Sequence, residues 1–432
     1  MKNKKPNPKI SKIEKDLFVV KGNKASGDVI VQFGVGSYVT DVVDKGRHYG
    51  ALSPHYPWGD KDQKLAEMHE ITGDNPTKWQ LMMTRRDFVI GNGLRVRNLE
   101  EGDEEDKYVF INDAEQKIIA KKIESLGVQK TLRELAMQLE FSGRYFAKFT
   151  LGLDLKTESI ELVDVFQCRP KKLAVGETRI SAYILNPNFG SPRFKVSENQ
   201  EIPAFDPKNP TKYPVFILDG REHLPGMFYN TLAAWWGTKE WAIISNKIAK
   251  FHNSGLDNGY NLKYHVSIPD DYFNKDGLTE EETEELKDSV LNEISESLKG
   301  INAVNKTLFT FHQKDVTGKA MNGVVITPLD NKMTDNAYMN IFNMASVAQA
   351  SAHKLLPTLA GVDQNQKLGG SGKELEVAAN YTQSFLTNTD RNLLLEVFNV
   401  LKMIEGWSAE KVGVFQNVRI YNYDVTPKAA AV

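Results

Sequence analysis

The sequence predicts a folded α+β protein, and three observations point to that class. The 432 residues are 41% hydrophobic and 25% charged, which is ordinary for a folded chain with a large core. The first half mixes segments of helical and strand spacing without a regular strand–helix–strand order. The second half has long helical stretches around one small segment of strand character.

The first half is expected to contain an arm followed by a mixed region. Residues 1–27 are polar and begin with the basic run MKNKKPNPKI, which predicts a flexible arm. The β-branched stretch 28–43 predicts one or two strands. Helices are expected at 79–90, 114–124 and 129–142, and short strands at RYFAKFTLGL, ESIELVDVFQ, RISAYIL and YPVFIL, all within 144–220.

The second half begins with a predicted long helix over 227–254, where apolar residues recur at spacings of three and four. Strand-like alternation follows within 256–278. Thr279, with Glu282 three residues on, forms a capping box and predicts a helix over 279–300. Further elements are expected as strands at 306–313 and 323–328, a helix from 335 to a stop at Pro357, a helix over 373–404, and a closing strand or hairpin in VGVFQNVRIYNYDV.

The charge balance and the cysteine content limit the classes of function that this chain could have. The 54 Lys and Arg nearly balance 56 Asp and Glu, so the chain lacks the basic excess typical of a protein that grips nucleic acid. The single cysteine, Cys168, excludes an intrachain disulfide framework and fits a reducing compartment. No apolar run approaches a membrane span or a signal peptide, so we expect no membrane association and assembly in the cytoplasm.

The common catalytic and nucleotide-binding motifs are incomplete in this sequence. The segment GGSGKE resembles a phosphate loop, but Lys367 occupies its first glycine position and Glu374 follows the lysine. FGVGSYV has Val39 in place of the third dinucleotide-binding glycine, and Gly73 replaces the second histidine of the zinc motif begun by His69. We therefore expect no catalytic, cofactor or metal site.

The predicted helix start TEEETEE places five glutamates in seven residues. One interpretation is a solvated first turn that the helix dipole stabilises. The other is an acidic ring, because identical subunits around a pore would repeat each glutamate and repel phosphate. Lys239, Lys247 and Lys250 lie on roughly one face of the preceding helix and suit either ion pairs or sparse DNA contacts.

Several stretches, taken in order, resemble the portal family of long-tailed bacteriophages. Residues 219–266 are similar to the family's approach to its stem: a Gly-aromatic segment, a long helix and a small-residue turn. Residues 308–313 and 324–362 resemble the portion from a wing strand through the tunnel loop, closing on Leu356-Pro357-Thr358-Leu359-Ala360-Gly361. The other similar stretches are KLGGSGKELEVAANYTQSFL, QLMMTRRDFVIGNGLRV, LRELAMQLEFSGRYFAKFTL and LVDVFQCRPKKL, so that the resemblance covers about 75–425.

The resemblance implies a portal fold with an α/β wing, a long-helix stem, a small β-containing clip and a minimal crown. Asn388-Thr389-Asp390 stands where the family often has a proline. The implied regions are the flexible arm 1–27, wing 28–226, stem helix 227–255, clip 256–278, second stem helix 279–300, wing strands and tunnel loop 301–334, long wing and crown helices 335–404, and C-terminal strand and tail 405–432.

The implied function is a non-enzymatic DNA channel at one capsid vertex of the virion, at the head–tail junction. Its partners would be further copies of itself in a ring of about twelve subunits, double-stranded DNA read without sequence specificity, the large terminase subunit, the head–tail adaptor and the major capsid protein. A soluble α+β metal-dependent enzyme acting on nucleic acid stays open as the alternative, because Asp and Glu are abundant.

Candidate residues follow from these implied positions. For the DNA channel they are Asn331, Lys332, Met333 and Thr334 of the tunnel loop, together with Lys239, Lys247, Lys250, Glu281, Glu284 and Glu285. For partner docking at the clip they are Tyr264, Asp270, Asp271, Tyr272 and Phe273.

The candidates for subunit contact are Trp235, Trp236 and Trp241. At least one of these aromatic residues is expected to pack against a neighbouring subunit, since one helix face cannot bury all three together with Phe251. On a continuous helix Trp241 would lie on a different side of the axis from Trp236.

Overall fold

The computed structural model describes residues 10–14, 17–20, 29–32, 53–98, 113–174, 176–258, 262–269, 273, 279–298, 306–312, 325–328, 335–362 and 372–418. These residues belong to two units, one formed by 1–239 with 349–432 and the other by 240–348. The described architecture is mixed α+β, as the sequence predicts.

The described helices are α1 (Lys64–Gly73), α2 (Lys78–Ile90), α3 (Ala114–Ser125), α4 (Val128–Ser142), α5 (Lys239–Asn258), α6 (Glu280–Leu298), α7 (Asp335–Ala352), α8 (Pro357–Ala360), α9 (Gly372–Tyr381) and α10 (Asn388–Glu405). A π-helical turn, Thr382–Leu386, joins α9 to α10. The described strands are β1 (Ile10–Glu14), β2 (Leu17–Val20), β3 (Val29–Gln32), β4 (Leu94–Asn98), β5 (Arg144–Leu151), β6 (Thr157–Val163), β7 (Cys168–Pro170), β8 (Ala182–Leu185), β9 (Gln200–Pro203), β10 (Val215–Arg221), β11 (Leu262–Pro269), β12 (Lys306–His312), β13 (Val325–Pro328) and β14 (Lys411–Phe415).

The first unit is organised around the antiparallel sheet β10-β5-β6. Strand β5 is buried on both faces because alternate side chains enter different cores. Tyr145, Ala147 and Phe149 join a core formed with α3, α4 and α10. Phe146 joins the other core, which includes Trp58 and Trp235.

Helix α4 leads into this sheet through a tight glycine turn. Gly143 adopts φ +77° after the last helical residue, and a Cβ there would lie 2.7 Å from the carbonyl oxygen of Leu232. Glycine therefore satisfies both the left-handed conformation and the close approach of another segment. The predicted helices 79–90, 114–124 and 129–142 are confirmed as α2, α3 and α4 within a residue or two.

Smaller sheets complete the first unit. Strands β7-β8-β9 form one antiparallel sheet, and β14 pairs with β4, which confirms the predicted closing strand. Strands β1, β2 and β3 form an antiparallel sheet, so the prediction of a flexible arm over 1–27 is wrong for 10–14 and 17–20. The apolar residues of ISKIE and LFVV favour strands, and the prediction of an arm had given more weight to the basic residues before them.

The second unit contains the sheet β12-β11-β13 with helix α6. Strands β11 and β12 are parallel, and α6 lies between them in the chain, which is a strand–helix–strand unit. The apolar stripe of α6 packs on this sheet in one small core, formed by Val266, Ile268 and Phe273 with Leu286, Val290, Leu291 and Ile294.

This arrangement changes the region boundaries that the sequence suggested. Residues 279–300 were expected to pair with the preceding long helix as a second stem helix, but α6 packs its apolar face on β11. The strands expected in the wing, 306–313 and 323–328, are β12 and β13 and pair with β11. The edges of a lone strand need main-chain partners, and these two distant segments supply them.

Two long helices also differ from their expected limits. Helix α5 begins at Lys239, because residues 234–238 form a 3-10 turn and Ala233 is extended. Helix α7 ends at Ala352, and Pro357 occupies the first turn of the short α8 instead of stopping α7. The predicted helix 373–404 is present but is divided by the π-helical turn.

Candidate functional site

The acidic start of α6 has the predicted local geometry. Thr279 N–H donates to Glu282 Oε2 at 2.9 Å, and Glu282 N–H donates to Thr279 Oγ1 at 3.3 Å, which completes the capping box. These hydrogen bonds to Thr279 lower the pKa of Glu282. Glu281, Glu284 and Glu285 are exposed and stay candidates for an acidic surface.

The three candidate lysines of the stem helix have different surroundings. Lys247 and Lys250 are exposed on α5. Lys239 begins that helix, and its Nζ lies 3.8 Å from Glu67 Oε1 and 5.1 Å from the ring centre of Trp236. Lys239 therefore takes part in a local ion pair and a cation–π contact at the start of the helix.

The predicted tunnel loop, with Asn331, Lys332, Met333 and Thr334, lies outside the described residues. Asp270, Asp271 and Tyr272 of the clip do so as well, and Tyr264 is described only as part of the backbone of β11. Phe273 is 2% exposed in the core of the second unit. Its prediction as a docking residue is wrong, because α6 covers its ring.

The three tryptophans divide into one core residue and two partly exposed ones. Trp235 is 1% exposed, its Nε1–H donates to the Phe141 carbonyl oxygen at 3.0 Å, and Lys78 Nζ lies 4.2 Å from its ring centre. Its own chain therefore covers Trp235, which removes it as a candidate for subunit contact and leaves Trp236 and Trp241. Trp236 lies in the 3-10 turn before α5, so Trp236 and Trp241 are not on one continuous helix as the sequence suggested.

Sequence reasoning missed a buried charge network beside the π-helical turn. Arg85 has a fully buried side chain, and its Nη2 donates to the Leu386 carbonyl oxygen and to Asp390 Oδ2, each at 2.5 Å. Its Nε lies 3.9 Å from Glu140 Oε2, and Glu140 also hydrogen-bonds His353 Nδ1. The network joins α2, α4, α10 and the residue after α7, which are far apart in sequence.

Lys78 lies close to this network and is also buried. Burial lowers its pKa to about 7, although the charge of Glu140 acts in the opposite direction. Burial also raises the pKa of Asp390, with Arg85 opposing the shift, and lowers the pKa of His353. A cleft of about 370 Å³ is lined by Glu140, His353 and Asp390, among others, and brings solvent to one side of the network.

Other buried ionic groups fix the sheet instead of forming a site. Arg144 donates from Nε and Nη2 to the two carboxylate oxygens of Asp219 at 2.6 and 2.8 Å, and Tyr183 donates to the same carboxylate at 2.9 Å. Cys168 is buried, and burial raises the pKa of its thiol, which agrees with its interpretation as a small hydrophobic residue.

The described ranges lack both a metal-ligand cluster and a membrane-spanning helix. These ranges contain no group of three or more His, Cys, Asp and Glu side chains placed to hold a metal ion. None of their helices is long and apolar enough to cross a membrane.

The fold is similar to that of chains in gene transfer agent (GTA) particles. A chain in the neck of an empty GTA particle, computed with C6 symmetry, matches with a TM-score of 0.51 and 14% identity, over 86% of each chain. A chain in the neck of the native GTA particle, computed with C12 symmetry, matches with a TM-score of 0.50 and 13% identity, over 84% of this chain and 86% of that one.

An HK97-family phage portal protein from Corynebacterium diphtheriae matches with a TM-score of 0.34 and 10% identity, over 73% of this chain and 85% of that one. The sequence matches no family model and no curated protein. The two GTA matches show that this fold is shared with GTA neck chains over most of both chains.

Proposed function

We propose that this chain is a portal subunit, and that about twelve copies form a closed ring around a DNA channel at one capsid vertex. The observation that carries the proposal is a fold shared with GTA neck chains over most of both chains. The ordered sequence motifs of the portal family support it independently. The protein would be assembled in the host cytoplasm and would act in the virion at the head–tail junction, with the major capsid protein around it.

The acidic start of α6 is proposed to line the channel. Glu281, Glu284 and Glu285 are exposed, and a ring would repeat each of them once per subunit. A negative wall repels phosphate and lets DNA slide, whereas a basic wall would hold DNA by counterion release. Lys247 and Lys250 would add sparse phosphate contacts, and the tunnel loop at 330–334 would touch the duplex without reading bases.

The clip is proposed to be larger than the sequence suggested. Because β12 and β13 pair with β11 and α6 covers that sheet, the docking element would include 262–328 and not 256–278 alone. Tyr264, Asp270, Asp271 and Tyr272 stay candidates for binding the large terminase subunit during packaging and the head–tail adaptor afterwards. The motor would hydrolyse ATP, and this chain would hydrolyse nothing.

Size-exclusion chromatography with light scattering tests the ring directly. The proposal predicts a species of about twelve times the subunit mass of 48.7 kDa. A single species at the mass of one or two chains, at all salt and protein concentrations tested, would contradict it.

Charge reversal tests the acidic channel separately from ring formation. The triple variant Glu281→Lys, Glu284→Lys, Glu285→Lys should retain linear DNA in its rings, and this retention should fall steeply with salt. The matched triple glutamine variant removes the negative charge without adding positive charge, and it should retain much less DNA. Equal, weak retention by both variants would show that these residues do not face the channel.

A further inference from the structure

The exposed face of the helical stretch from α9 through α10 lacks charge over five turns. Between Glu376 and Glu396, a fully described stretch, the exposed positions are Val377, Asn380, Tyr381, Ser384, Phe385, Asn388, Thr389 and Asn392. None of them is charged, although 25% of the chain's residues are. The charged residues in between, Asp390 and Arg391, are turned inward and bonded to Arg85 and to the Val89 carbonyl oxygen.

The same face carries a stripe of large exposed side chains. Val377, Tyr381 and Phe385 stand four residues apart and are 62%, 47% and 72% exposed. The rings of Tyr381 and Phe385 are in contact, with centroids 5.5 Å apart. An aromatic pair with this exposure is unusual for a surface that meets only water, and such patches are typical of binding surfaces.

Hydrogen bonds fix the backbone of the π-helical turn beneath this face. Thr387 N–H donates to the Thr382 carbonyl oxygen at 3.1 Å, and Thr387 Oγ1–H donates to the Gln383 carbonyl oxygen at 2.7 Å. The Gln383 side chain bonds both backbone groups of Val418. Thr382 and Gln383 are buried while Ser384 and Phe385 are exposed, so the turn presents Phe385 on an ordered backbone and little entropy is lost when a partner binds.

We propose that this uncharged face packs against a second copy of the chain. The inference rests on the ring of the proposed function, in which each subunit meets its two neighbours through two different faces. Aromatic enrichment with depletion of charge is the composition of interface cores. DNA is a poor occupant, because none of the eight exposed side chains is basic. The Asn, Ser and Thr side chains supply hydrogen bonds at the edge of the aromatic pair.

Thiol labelling tests the contact without disturbing the aromatic pair. The chain's single cysteine, Cys168, is buried, so an introduced cysteine is the reactive one. Ser384→Cys should react with a maleimide much more slowly in the assembled ring than in dissociated subunits. Leu153→Cys, at the fully exposed turn between β5 and β6, is the control and should react equally fast in both.

A second variant measures the strength of the contact. Phe385→Ser should weaken ring association by at least about ten-fold, as loss of an aromatic interface anchor does. The subunit should fold normally, because Phe385 is 72% exposed, and circular dichroism checks this. Leu153→Ser removes an even more exposed apolar side chain elsewhere and should leave the ring unchanged.

The outcomes distinguish this inference from the function on which it rests. If the unmodified chain forms no ring, the proposed function fails. If rings form but Ser384→Cys reacts in them as fast as Leu153→Cys, the inference alone is wrong. Protection of Ser384→Cys only after a capsid or tail protein is added would also overturn it, because the occupant would then be a different protein.

Discussion

Replacing Arg85 with methionine should strongly destabilise the first unit. The guanidinium is fully buried, and it neutralises Asp390 at 2.5 Å while bonding the Leu386 carbonyl oxygen at the end of the π-helical turn. Methionine fills much of the same space but leaves the Asp390 and Glu140 carboxylates without this partner. Breaking a buried ion pair by removing one member costs about 3–5 kcal/mol, and we expect a loss in that range.

Urea unfolding of the full chain, followed by tryptophan fluorescence, measures this loss. The double variant Arg85→Met, Asp390→Leu should recover part of it, because no uncompensated charge remains at that position. Arg86→Met is the matched control: its side chain pairs with Asp87 near the surface, and its removal should change the free energy of unfolding by less than about 0.5 kcal/mol. Equal losses for Arg85→Met and Arg86→Met would refute the reasoning.

Three further predictions follow from buried groups. Trp235→Ala should lower the free energy of unfolding by about 3–5 kcal/mol because it leaves a cavity in the core, whereas Trp241→Ala, at a partly exposed position, should lower it clearly less. Similar losses for the two variants in urea unfolding would contradict the assignment of Trp235 to the core and Trp241 to the surface. Burial lowers the pKa of Lys78 to about 7, so the fold loses stability as pH falls from about 10 to 7. Lys78→Met should therefore raise the free energy of unfolding at pH 6, and this gain should shrink by pH 10. If thermal scans give the same difference between the variant and the unmodified protein at both pH values, the prediction fails. Burial opposes the ionisation of Asp219, but Arg144 outweighs it and holds the pKa of that carboxyl below its ordinary value. The resulting stabilisation is complete above about pH 4 and is lost as pH falls through the folded pKa. Asp219→Asn should be less stable at pH 7, and its free energy of unfolding should change less in acid; an unchanged acid transition would be evidence against this.

Local signals were enough to predict many elements. Helix α4 ends at Gly143 because its φ is positive, and the capping box of Thr279 and Glu282 marks the start of α6. Each of these signals depends on residues within one or two turns. The capping box is visible in the sequence because its donors and acceptors are three residues apart.

Long-range contacts decided what the sequence could not predict. The helix expected from 227 begins only at Lys239, where Trp235 is held by a hydrogen bond to Phe141, 94 residues earlier. The pairing of β11 with β12 depends on strands on opposite sides of α6. Strand-like alternation predicts a strand but not its partner, so these strands were assigned to separate regions.

The buried charge network around Arg85 was missed for the same reason. Arg85 and Asp390 are 305 residues apart, and each alone has the sequence context of an exposed helical residue. The uncharged face was visible in the sequence only as a run of Asn, Ser and Thr among apolar residues. Which of these are exposed depends on the π-helical turn, and no sequence pattern predicted that turn.

Electron cryomicroscopy of the purified protein tests the central claim most directly. The account predicts a closed ring of about twelve subunits around an open channel, with the acidic start of α6 on the channel wall and the face around Phe385 buried between neighbours. Isolated subunits, or a ring in which the Phe385 face points to solvent and α6 lies on the outer rim, would contradict it.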